Sequence, residues 1–198
     1  MELAIETDLL DLHCIQRRVG SNGLVIFERD DILLRRKTQF EDQTLGDIDA
    51  EFLAMLQNLR ALDVRFGFIA HHATVPFDPH ALMDRLTLTR LLDDLLKVSG
   101  ALPDFWIDAI FSSSLSQRPR WPRASELDVI SKLTESYKAD PTTTVMVRKG
   151  ELSRFTSNTP GGTEIFYPGL DVAGSSGTNR RAALAWLKAN IKQTLKLE

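Results

Sequence analysis

Short apolar runs alternate along this chain with segments of helical periodicity, and that alternation restricts the fold more than any other feature. Leu24-Val25-Ile26-Phe27 is entered from Gly20-Ser21-Asn22-Gly23 and left into Glu28-Arg29-Asp30-Asp31. Consecutive apolar residues between turn formers and charges read as a buried strand ending in a polar loop. Ile48, Phe52, Leu53, Leu56, Leu59 and Leu62 then recur at helical spacing, with Asp47 placed to cap the first turn. Val64–Ala70 is again rich in strand formers. Strand, helix, strand is the parallel crossover unit.

The alternation continues with a leucine-rich helix over about Pro79–Ser99, a strand at Trp106–Phe111 and a helix over about Ser125–Tyr137. Strands at Thr143–Val147 and Glu164–Tyr167 follow, and the last helix runs from Asn179 to about Leu195. These elements predict a doubly wound, Rossmann-like α/β fold: a parallel sheet of about five strands, Leu24–Phe27 central, with helices on both faces. No internal repeat or long linker divides the chain, so residues 24–196 read as one domain and residues 1–23 as an extension packed on or preceding it. The terminal Leu197-Glu198 reads as a cloning remnant. Gly161-Gly162 and Gly174-Ser175-Ser176-Gly177 lack the flanks of a nucleotide fingerprint and read as turns.

Hydrophobic residues make up 43% of 198, which is enough for one complete core. The 24 basic and 27 acidic residues are interspersed, so no run of one sign marks a nucleic-acid or membrane surface. Every leucine-rich stretch is broken by Asp, Arg or Lys before it could span a bilayer. The single cysteine, Cys14, supplies neither an internal disulfide nor a thiolate cluster, and the N-terminus shows no signal or transit character, so a cytoplasmic location is expected.

In a doubly wound sheet the working site lies at the carboxyl ends of the strands. There, Val25-Ile26-Phe27-Glu28-Arg29-Asp30-Asp31-Ile32-Leu33 resembles the signature of the haloacid dehalogenase (HAD) superfamily, an apolar strand followed by Asp-x-Asp-Gly-x-Leu. The Arg between the acids is especially similar to the capless histidinol-phosphate and heptose-bisphosphate phosphatases. The resemblance implies a nucleophile at Glu28, a general acid/base at Asp30 and a magnesium ion bridging carboxylates and phosphate. Its later slots fall in order. Phe68-Ile69-Ala70-His71-His72 stands for the second motif, Gln117-Arg118-Pro119-Arg120-Trp121-Pro122 for the third, and Val145-Met146-Val147-Arg148-Lys149-Gly150-Glu151 for the fourth. The short stretch between Asp31 and Asp47 leaves no room for a large cap domain.

The departures point away from turnover. Glu28 carries one methylene more than the family's Asp, and a displacement of about 1 Å at a reacting group can cost on the order of a hundredfold. Asp31 replaces the glycine that lets the backbone pass close to phosphate. Ala70 has no hydroxyl to donate. Arg148 and Lys149 occupy the slot of the magnesium-binding acids, whereas a hard dication needs oxygen ligands. No metal site is therefore expected, and one of these two cations is expected to reach the Glu28/Asp30 pair in the ion's place.

His71 and His72 invite a metal or general-base reading, but neighbours in an extended chain face opposite ways and share one ion poorly. Ser112-Ser113-Ser114-Leu115-Ser116 lacks the Cys and His ligands of the related phosphatases' zinc loop. Arg118, Arg120, Arg123 and Trp121 suit an anion site or a rigid exposed loop. The leading reading is a catalytically inactive or repurposed phosphatase-like module for a protein partner or a small anionic ligand, without cofactor, nucleic acid or membrane. The alternative is a capless, magnesium-dependent phosphomonoesterase that uses Glu28 or Asp30 with help from Arg118 or Lys149. A third is a ligand-binding α/β domain unrelated to phosphatases.

Overall fold

The computed structural model describes residues 13–29, 32–33, 48–72, 79–110, 126–150, 157–159, 162–167 and 177–197. Its strands are β1 (His13–Gln16), β2 (Asn22–Glu28), β3 (Val64–His72), β4 (Phe105–Ile110), β5 (Thr144–Lys149), β6 (Ser157–Thr159) and β7 (Gly162–Tyr167). Its helices are α1 (Ala50–Ala61), α2 (Pro79–Val98), α3 (Glu126–Tyr137) and α4 (Gly177–Leu195).

Among the described residues the strands form one sheet in the order β1-β4-β3-β2-β5-β7-β6. The expected strands are its inner, mutually parallel members, and β2 lies between β3 and β5 as anticipated. Two strands enlarge the expected sheet: β1 runs antiparallel to β4, and β6 antiparallel to β7. Both are short edges without a continuous apolar run, so neither carries a strand signal in sequence, and short edges also limit association between sheets.

Strand alternation divides the core in two. Val25, Phe27, Phe66, Phe68 and Trp106 face α1, α2 and α4, whereas Leu24, Ile26, Ile69, Phe105 and Met146 face α3. On the first side Phe27 meets Phe52 of α1 edge-on at 5.5 Å between ring centroids, and Phe68 stacks on Trp106 at 4.6 Å. Such pairs add about 0.5–1.5 kcal/mol to the burial itself. Leu197, at the end of the α4 segment, also packs against this side.

Asp49, not Asp47, caps α1, accepting from the backbone N–H groups of Glu51 and Phe52 at 2.9 and 2.8 Å. The helix begins at Ala50, and the cap must be the extended residue directly before it. Asp47 itself lies outside the described residues.

The described part of the segment before Leu24 is built into the sheet. After β1 it passes Asp104, whose Oδ1 accepts from the backbone of Val19 and Gly20 at 2.7 and 2.9 Å. Gly20 is required here, because a Cβ would lie 2.6 Å from the Val64 carbonyl.

Candidate functional site

From β2 the chain winds outward through β3 and β4, then returns to place β5 and β7 on the other side of β2. The order reverses between β2 and β5, and open α/β sheets form their ligand crevice at such a switch point. Glu28 ends β2 there, half-buried, one residue beyond the Phe27–Val147 pair. Its Oε2 accepts the backbone N–H of Lys149 at 2.7 Å. The longer side chain thus reaches a donor on the adjacent strand, and the carboxylate extends the pairing of β2 and β5 past their ladder.

Arg148 and Glu28 both follow the alternation of the α3 side. The described ion pair of Arg148 is with Glu164 of β7, Nε to Oε1 at 3.0 Å, both side chains about one-fifth exposed. Lys149 is exposed and reaches Glu28 through its backbone. Consecutive carboxylate contacts therefore tie the carboxyl end of β2 to β5, and the carboxyl end of β5 to the middle of β7.

Arg29 turns the opposite way. It is 3% exposed, with Nη1 donating to Thr89 Oγ1 of α2 at 3.1 Å and its backbone N–H donating to the Ile69 carbonyl at 2.8 Å. Ala70 is buried, and strand alternation puts it on the side of Phe66 and Phe68, across the sheet from Glu28. His71 continues β3 opposite Ala109 of β4. Asp30, Asp31, Arg118, Arg120, Trp121, Arg123 and the serine run 112–116 lie outside the described residues. The structure thus brings together Glu28 and the end of β5, and puts Glu28 and Arg148 across the sheet from the Ala70 side chain.

Magnesium requires several oxygen ligands at short range. Among the described residues no group of three or more His, Cys, Asp or Glu side chains is placed to hold a metal. At the slot of the expected acids stand a paired guanidinium and an ammonium, so the described residues do not fit the ion. The sequence reading missed Thr89 and Asp93, polar residues four apart on the sheet-facing side of α2. Their signal was polarity where a leucine-rich helix should present apolar residues.

No protein-family model matches the chain, and no curated protein does. Solved structures do. A candidate HAD-like phosphatase from Mesorhizobium loti aligns over 95% of this chain and 96% of its own, at 11% identity and a TM-score of 0.60. The D,D-heptose 1,7-bisphosphate phosphatase of Burkholderia thailandensis covers 64% of this chain and 65% of its own, at 13% identity and a TM-score of 0.42. An uncharacterized protein from Listeria monocytogenes serotype 4b covers 84% of this chain and 99% of its own, at 14% identity and a TM-score of 0.42.

Proposed function

From the premise that this chain has the fold of the HAD-like phosphatases, we propose that it is a catalytically silent member of that architecture, acting as a binding or regulatory module. The observation that supports this most is the engagement of Glu28. A nucleophile must stand about 3–3.5 Å from phosphorus in a fixed geometry, and a displacement of about 1 Å is costly. At the nucleophile's position this chain has a longer carboxylate, one of whose oxygens already accepts from the Lys149 amide. Phosphoryl transfer depends on positioning and on neutralising charge. The end of β5 carries Arg148 and Lys149 in place of the acids that would hold a metal supplying the second, and Arg148 is held by its pair with Glu164.

A thermal-shift titration with magnesium tests the metal half of this reading. An ion bound at a hundred times its dissociation constant stabilises by about 2.7 kcal/mol. In a chain of 198 residues that raises the Tm by several degrees. We expect no shift with millimolar magnesium, alone or with orthophosphate. A magnesium-dependent rise that disappears in Glu28→Ala would favour the phosphomonoesterase instead.

A further inference from the structure

Two polar contacts on α2 lie one helical turn apart, one made by the N-terminal segment and the other by the residue that leaves β2. Asp93 receives Arg17 in a bidentate pair, Nη1 to Oδ1 and Nη2 to Oδ2, both at 2.6 Å. The same carboxylate accepts the Trp106 indole N–H at 2.7 Å. Four residues earlier, Thr89 accepts from Arg29. Thr89, Asp93 and Arg29 are each at most 9% exposed. Positions i and i+4 share one face of a helix, here the face turned to the sheet.

We infer that α2 couples the N-terminal segment to the described residues that follow β2, Arg29, Ile32 and Leu33, so that Arg17 is a positioning residue for that end of the strand. The Arg29 carbonyl accepts the Leu33 N–H at 3.2 Å, and Ile32 and Leu33 are fully buried. These residues are thereby seated on α2 through the Arg29 guanidinium. A buried donor left without its acceptor is costly, so a displacement of Thr89 on α2 would be felt at Arg29. The other end of the link is fixed by the fork on Asp93, by the Arg17 N–H donated to the Asp104 carbonyl at 2.6 Å, and by the Tyr137 hydroxyl on the Arg17 carbonyl at 2.9 Å. Neither Arg17 nor Asp93 is in the switch-point crevice. The coupling holds whether or not the site turns over, so its failure and that of the proposed function are separate results.

The Leu33 amide reports on these residues directly. Hydrogen exchange on the full-length chain would compare it with the amides of Val25, Ile26 and Phe27 at the centre of β2. In Arg17→Ala, exchange at Leu33 should accelerate by about tenfold relative to the β2 centre, the mark of local opening. Thr89→Val should show the same pattern, and the double variant should add little, because both changes cut one link. An unchanged Leu33 rate in Arg17→Ala, equal acceleration at the β2 centre, or fully additive effects would each overturn the inference. If Arg17→Ala does not fold, Arg17→Lys keeps the charge while losing the fork, and should give the same Leu33-selective pattern with smaller amplitude.

Discussion

Asp104 and Glu28 are both carboxylates at strand ends, at opposite edges of the same sheet, and they have opposite surroundings. Asp104, just before β4, is fully buried. Besides Val19 and Gly20, its carboxylate accepts from the Phe66 N–H at 3.1 Å and from Arg60 Nη2 at 2.8 Å. It joins the N-terminal segment, β3 and α1 at one point. Glu28, at the carboxyl end of β2, is half-buried, and its carboxylate accepts the Lys149 N–H at 2.7 Å. At the amino edge a charge is buried because several donors satisfy it; at the carboxyl edge water still solvates part of it. The first edge holds the fold together, and the second can change its chemistry at small cost. On the reading proposed above, that difference lets a fold like that of the HAD-like phosphatases carry strand-end residues that depart from the motif.

The comparison predicts a steep ranking of substitutions. Asp104→Ala removes the carboxylate partner of Arg60 and the acceptor of three amides, and breaking a buried pair of this kind costs about 3–5 kcal/mol. The Tm should fall by about 10 °C; a fall of only a degree or two in calorimetry would dissolve the contrast. Glu28→Asp, which is one methylene short of the Lys149 amide, should cost less than about 1 kcal/mol, and Glu28→Gln, which keeps an acceptor at full length, less still. Urea denaturation of both would break the comparison from the other side if Glu28→Asp proved as damaging as Asp104→Ala.

The smallest effect belongs to Asp140, exposed before β5. The Thr142 backbone N–H, followed by the Thr142 side chain, holds its carboxyl below the ordinary range. A group whose pKa is depressed on folding stabilises above its unfolded pKa, and that stabilisation is lost as pH falls through the folded value. Asp140→Asn should therefore lie slightly below the parent protein in Tm at neutral pH and converge with it in acid. A gap of constant size across the acid limb would rule out the charged cap.

The parallel core was legible because strands buried on both faces read as continuous apolar runs, as Leu24–Phe27 and Val145–Val147 do. The antiparallel edges were not legible, since His13–Gln16 and Ser157–Thr159 gain their strand character only from the neighbour they pair with. Asp104 gave no signal either. Pro103-Asp104 reads as an ordinary turn, and its backbone donors lie 38 to 85 residues away in the chain. The position of Glu28 at a strand end could be read, but its partner is a backbone amide, which every residue but proline carries. Arg148 and Lys149 were visible as cations in an acidic slot. That Arg148 pairs with Glu164 depends on the register of β5 against β7, which no local pattern encodes.

The central claim, a phosphatase fold without turnover, is tested most directly by hydrolysis of aryl and sugar phosphates by the purified protein with magnesium. The account predicts a rate no faster than that of a matched Glu28→Ala variant, with no gain in Glu28→Asp, because that change restores neither the second-motif hydroxyl at Ala70 nor acids at Arg148 and Lys149. A magnesium-dependent rate that Glu28→Ala abolishes would contradict it.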